Sequence, residues 1–167
     1  MNRVLLHSLI CLLVLFQGIA HAADVQVGQR LTLPAITVMD GKQIKPGDLR
    51  NKVIVLSYFS TTCPFCMNEA PKLQALQESS SADLVVIGVD INHADPEQES
   101  KVMKWRDRFR LTHPITIDYK RIESALGKPK GIPSHYIIDK NGVLKQIELG
   151  EMHDEDFEDI ARFARKK

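Results

Sequence analysis

The chain has 167 residues, with 22 Lys and Arg against 21 Asp and Glu, and a formal net charge of +1. That near-neutral balance, with no long basic run, gives no electrostatic footprint for nucleic acid or anionic lipid. Three cysteines are too few for a fold held together by a disulfide framework.

The first 22 residues differ in character from the rest. Arg3 gives a positive start, Val4 to Ile19 is mostly apolar, and Ala20-His21-Ala22 supplies the small-x-small pattern that signal peptidase cuts. The expectation is a cleaved signal peptide over 1–22, followed by one domain over 23–167. The competing reading is an uncleaved anchor, although this apolar run falls short of the roughly 20 residues of a membrane span. Cys11 is not preceded by a small residue, which argues against lipidation there. Cleavage removes Arg3, His7, His21 and Cys11, leaving 145 of 167 residues with about zero charge and only Cys63 and Cys66. That length suits one ordinary domain.

In chain order, Leu31 to Leu49 carries turn signals at Asp40-Gly41 and Pro46-Gly47 and reads as a short β extension. Val53 to Phe59 and Leu84 to Ile91 are nearly continuous apolar runs, as strands covered on both faces should be. Between them Cys66, Ala70, Leu73 and Leu76 or Gln77 recur at helical spacing from Pro64, with Pro71 placed to bend the helix. Asp95-Pro96-Glu97-Gln98 predicts a second helix, with Asp95 as cap, Pro96 in the first position and Gln98 completing a capping box. Val102, Trp105 and Phe109 form its apolar face, with Trp105 read as core. Lys101, Lys104, Arg106, Arg108 and Arg110 form a basic face, read as solvated. His135 to Asp139 and Val143 to Leu149 flank Lys140-Asn141-Gly142, a hairpin turn. The last helix, about Asp154 to Arg165, has an acidic start and a basic end that complement its dipole. This order predicts an α/β fold, a mixed sheet with helices on both faces.

The segment Ser60-Thr61-Thr62-Cys63-Pro64-Phe65-Cys66 holds the chemistry. A bridge between residues three apart constrains the unfolded chain little, so bracing is a poor explanation for the pair. A structural zinc needs about four ligands, and His93, His113, His135 and His153 show no ligand spacing. A cycling dithiol remains. Cys63, at the end of a strand and the start of a helix, meets free backbone N–H groups and a positive dipole end. Both favour a thiolate below the usual pKa of about 8.5. Cys66, one turn further in, is placed to resolve a mixed disulfide.

The segment from Val53 to Pro71 resembles the active-site region of exported thioredoxin-like thiol-disulfide oxidoreductases of the TlpA and ResA type. Pro34 with Asp40-Gly41-Lys42 is similar to that family's N-terminal β extension, and Gly131 to Gly142 to its cis-proline segment and hairpin. The likeness runs from about Gly28 to the C-terminus and includes a helix and strand inserted between Leu84 and Pro133. It implies a thioredoxin-like fold, with Cys63 as nucleophile and Cys66 as resolver. It further implies a cis Pro133 facing the pair, the Ile132 backbone offering hydrogen bonds to a substrate chain, and Glu69 as an acid that takes the proton of Cys66. For Glu69 the residues themselves leave a solvated surface carboxylate equally open. Pro64 and Phe65, between the cysteines, are expected on the substrate-binding surface, and they affect redox poise, which spans about −270 to −120 mV among dithiol proteins.

Three positions depart from the family pattern. Thr62 stands where a tryptophan usually precedes the first cysteine, and Ser57 stands where thioredoxins proper bury an acid. His135 replaces a small hydroxyl residue after Pro133; a partly exposed strand histidine is expected there in preference to a neighbour of the thiolate.

The resulting expectation is a periplasmic enzyme that reduces protein disulfides with no dissociable cofactor and no metal. Its partners would be cysteine-containing exported proteins, apocytochrome c among them, and a membrane electron donor, with no nucleic acid. Three alternatives stand beside it: a disulfide oxidase or isomerase, a peroxiredoxin-like peroxidase in which Ser60 sits where Thr is usual, and a copper-binding metallochaperone using Cys63, Cys66 and His135.

Overall fold

The computed structural model describes residues 24–166. The segment 1–22, expected to be cleaved, lies outside them. Two short antiparallel strands, β1 (Ile36–Thr37) and β2 (Gln43–Ile44), form the N-terminal extension. Their connection turns at Gly41, whose φ of +81° is open to glycine without a Cβ clash, and Asp40 Oδ1 accepts the Lys42 N–H at 3.0 Å. A single 3₁₀ turn, Pro46–Leu49, returns the chain to the main sheet.

The main sheet contains β3 (Val53–Phe59), β4 (Leu84–Asp90), β5 (Ile115–Thr116), β6 (Ser134–Ile138) and β7 (Leu144–Leu149), in the order β5-β4-β3-β6-β7. β3 runs parallel to β4 and antiparallel to β6, so the sheet is mixed and β3 is central. The helices are α1 (Pro64–Ser80), α2 (Gln98–Phe109), α3 (Tyr119–Leu126) and α4 (Asp154–Arg165). Every residue of β3 is buried because both faces are covered. Ile54, Leu56 and Tyr58 pack with Tyr119, Ile122 and Leu126 of α3, and with Leu33 and Ile36 of the extension. Val53 and Val55 point the other way, among Leu73 and Leu76 of α1 and Phe157, Ile160 and Ala164 of α4. Strand alternation therefore assigns odd-numbered β3 residues to the α1–α4 face, and that face carries the cysteines.

The β6–β7 hairpin turns where the Asn-Gly pair predicts. Gly142 has φ +78°, and Asp139 Oδ1 accepts the N–H groups of Asn141 and Val143, each at 2.9 Å. The insertion before β6 is larger than a helix and a strand: it is α2, β5 and a second helix, α3. The start of α2 also departs from expectation. Its N-cap is Glu97, two residues beyond Asp95. Asp95 instead accepts the Glu97 N–H and pairs with Lys101 at 2.7 Å. Gln98 forms no capping box because its side chain turns inward, donating to Asp90 Oδ1 at 3.0 Å. Asp90 is buried at the end of β4, where burial raises its pKa, and a carboxylate there needs donors. Among the described residues no helix is long and apolar enough to cross a membrane.

Candidate active site

β3 ends at Phe59, a tight turn follows, and α1 begins at Pro64 with Cys63 as its N-cap. Pro64 fits the first helical position because its missing N–H is one the helix leaves unpaired there. Cys63 and Cys66 are disulfide-bonded, with Cα atoms 5.2 Å apart, inside the ordinary range for a bridge. The Cys66 N–H points at Cys63 Sγ, 3.2 Å away. That donor, together with the dipole end, is the environment that stabilises a thiolate when the bridge is open. Cys63 is partly exposed and Cys66 is 3% exposed, so the first residue is open to approach from outside and the second is shielded.

The approach to the sulfurs is held by side chains that the sequence reading did not connect. Ser60 Oγ lies 2.9 Å from Thr62 Oγ1 and accepts the Asn92 side-chain amide at 2.9 Å. Asn92 donates its backbone N–H to Asp90 Oδ1 at 2.7 Å. This chain of hydrogen bonds fixes the turn Ser60–Thr62 to the end of β4. Phe65 projects outward, 58% exposed, and Pro64 is also exposed. The Ile132–Pro133 peptide is cis, Pro133 is buried beside the pair, and Ile132 is half-buried against the cluster that contains Cys66. Trp105 is core, stacked on Phe59 with ring centroids 5.3 Å apart.

Behind the disulfide lie two buried groups, and one of them, His135, differs from expectation. Glu69, one turn after Cys66, is 0% exposed; it is not a solvated surface carboxylate. His135 is also 0% exposed, where a partly exposed strand residue was expected. Its position on β6 faces Ser57 of β3 in register, and Ser57 is an odd-numbered residue on the α1 side of the sheet. The small Ser57 leaves room on that face, and the imidazole turns to Glu69, with Nε2 3.0 Å from Oε2. The other carboxylate oxygen, Oε1, accepts the backbone N–H of Met152. Position 57 carries no acid, and a buried carboxylate is present instead at Glu69 on α1.

Cys66, Glu69, Ser57, Pro133 and His113 line a small cavity of about 20 Å³, enough for about one water molecule. The sequence offered no periodic signal for His113. It follows α2 in a loop, is buried with its Nδ1 3.2 Å from the Pro114 carbonyl oxygen, and burial lowers its pKa. Among the described residues, no group of three or more His, Cys, Asp and Glu side chains is arranged to hold a metal ion.

Comparison with known proteins agrees with this geometry. The Redoxin family profile matches residues 26–163. The thiol-disulfide oxidoreductase ResA of Geobacillus kaustophilus is 30% identical over 137 residues, spanning 80% of this chain and 75% of its own. The thioredoxin-like protein YneN of Bacillus subtilis is 29% identical over 134 residues, spanning 80% and 78%. The thiol-disulfide isomerase of Corynebacterium glutamicum shares the fold with a TM-score of 0.70 at 23% identity, over 84% of this chain and 98% of that one. StoA of Bacillus subtilis does so at 0.63 and 19% identity, over 75% and 93%. A partly exposed sulfur at a helix start, bridged to a buried one and backed by a thioredoxin-like sheet, thus sits in a chain that belongs to the Redoxin family and is a thiol-disulfide oxidoreductase of the TlpA and ResA type.

Proposed function

We propose that the protein works in the periplasm as a dithiol reductase of protein disulfides. The observation that carries the mechanism is the asymmetry of the pair: Cys63 is partly exposed at the N-cap of α1, and Cys66 is buried one turn behind it. In the reduced protein the Cys63 thiolate attacks one sulfur of a substrate disulfide. That S–S bond breaks, a bond from Cys63 to the substrate forms, and the departing substrate thiolate takes a proton from solvent. Cys66 then gives its proton to the Glu69 carboxylate and attacks Cys63 Sγ. The mixed disulfide breaks, the Cys63–Cys66 bridge forms, and the second substrate thiolate leaves. Two electrons have passed to the substrate, and an external dithiol donor at the membrane returns them.

Pro133 and the Ile132 backbone, beside the pair, supply the substrate-facing edge, and Pro64 and Phe65 the exposed contact surface. No dissociable cofactor takes part, since the electrons reside on sulfur. The periplasmic address rests on the sequence pattern of 1–22, and the choice of cysteine-bearing exported proteins, apocytochrome c among them, rests on the family resemblance. The reverse direction, disulfide oxidation or isomerisation, is the second reading, because Pro64 directly after the nucleophile resembles glutaredoxin-like and more oxidising sites. A reduction potential well above about −180 mV selects that reading, and a value near about −270 mV selects the reductase.

The test is a Cys66→Ala variant expressed with its own leader. It accumulates disulfide-linked adducts through Cys63 that dissolve with reductant. Absence of any adduct from a folded, exported variant contradicts the mechanism.

A further inference from the structure

The Glu69–His135 pair is fully buried. A buried carboxylate retains its charge only if hydrogen bonds replace the water it has lost. Glu69 has two such bonds, from Met152 N–H to Oε1 and from His135 Nε2 to Oε2. Met152 N–H is fixed backbone, and His135 is therefore the one side-chain partner of the carboxylate among the described residues. Because a carboxylate oxygen accepts, Nε2 carries the hydrogen. Nδ1 has no partner among the described residues, which suits an unprotonated nitrogen better than a buried, unpaired N–H.

We propose that His135 is a positioning residue: through Nε2–H it holds Glu69 ionised and aimed so that Cys66 can deliver its proton when it resolves the mixed disulfide. This rests on the dithiol mechanism above and adds to it the group that keeps the proton acceptor ready. Other titratable or charged groups face the pair from each packed element. Cys66 is on α1, where Lys72 senses the Glu69 charge but bonds Asp154. Glu148 of β7 lies opposite His135 in register, and His113 lines the same cavity as Glu69. Ser57 is the neutral neighbour on β3. None of these is hydrogen-bonded to Oε2, so its hydrogen bond from within the protein depends on His135.

The experiment follows the two steps of reduced protein reacting with excess DTNB by rapid mixing. The first release of thionitrobenzoate reports attack by Cys63, and the second reports resolution by Cys66. The second rate is measured from pH 4 to 9. In His135→Leu, which removes the donor, the midpoint of the second phase moves up by about one pH unit, making it about tenfold slower below the midpoint. In His135→Gln, whose side-chain amide restores a donor near the Nε2 position, the midpoint returns toward that of the natural protein. In a Glu69→Gln background, His135→Leu no longer shifts the profile. A midpoint unchanged in His135→Leu, or one equally shifted in His135→Gln, overturns the proposal. If the unsubstituted protein gives no second release at all, it is the dithiol mechanism that fails.

Nitrogen NMR of the unsubstituted protein supplies a second reading that does not depend on a folded variant. His135 is expected in the Nε2–H form with Nδ1 unprotonated at neutral pH and a slowly exchanging Nε2 hydrogen. An Nδ1–H tautomer overturns the assignment.

Discussion

The Glu69 carboxylate on α1 and the His135 imidazole on β6 approach to 3.0 Å with no exposure of either side chain. Removing one partner leaves the other buried and unpaired, which costs more than the bond itself is worth. Glu69→Leu strands two donors, His135 Nε2–H and Met152 N–H. At about 1–3 kcal/mol for each orphaned group, unfolding of the oxidised protein in urea should show a loss of about 3 kcal/mol. A loss below about 1 kcal/mol would mean that water reaches the site.

Phe65 is the large apolar side chain exposed between the two cysteines. Phe65→Ala removes contact surface without touching the core, so stability should stay within about 0.5 kcal/mol. The kcat/KM for a protein disulfide should fall several-fold, whereas that for a small aromatic disulfide should not change. Equal effects on both would place Phe65 in the chemistry of the sulfurs and not in substrate contact.

His113 is buried and its pKa is depressed by desolvation from the ordinary value of 6.5. The unfolded chain therefore binds a proton at a higher pH than the folded one. Stability from this residue is fully present above about pH 6.5 and is lost as pH falls from there toward the folded value. Replacing it in His113→Gln should flatten the dependence of unfolding free energy on pH between about 6.5 and 5. An unchanged slope would show that His113 is solvated.

Much of this architecture can be read from local pattern. Val53 to Phe59 and Leu84 to Ile91 announce buried strands because nearly every residue is apolar or small, and Asn141-Gly142 announces its turn because few residues tolerate the backbone it needs. Cys63 and Cys66 stand out because a strand end, a C-x-x-C pair and Pro64 coincide. The groups behind the disulfide follow from no local pattern. His135 sits in a five-residue strand that reads as half-exposed until the helices on the Ser57 face are in place. Its partner is 66 positions away, so only tertiary contact could pair them. The start of α2 fails for a related reason: Asp90 draws Gln98 inward, and a buried carboxylate outweighs a surface cap. The segment α3 is short, and its strongly one-sided face becomes meaningful only against Tyr58 and Ile87.

The dithiol mechanism depends on Cys63, not Cys66, being the sulfur that meets the substrate. The direct measurement is timed alkylation of the fully reduced protein with iodoacetamide across pH, with the modified cysteine located by mass mapping. Cys63 should be modified first, at least tenfold faster than Cys66, and already reactive below pH 8.5, the ordinary midpoint of a free thiol at about that value. Preferential modification of Cys66, or equal rates with both midpoints near 8.5, would contradict it.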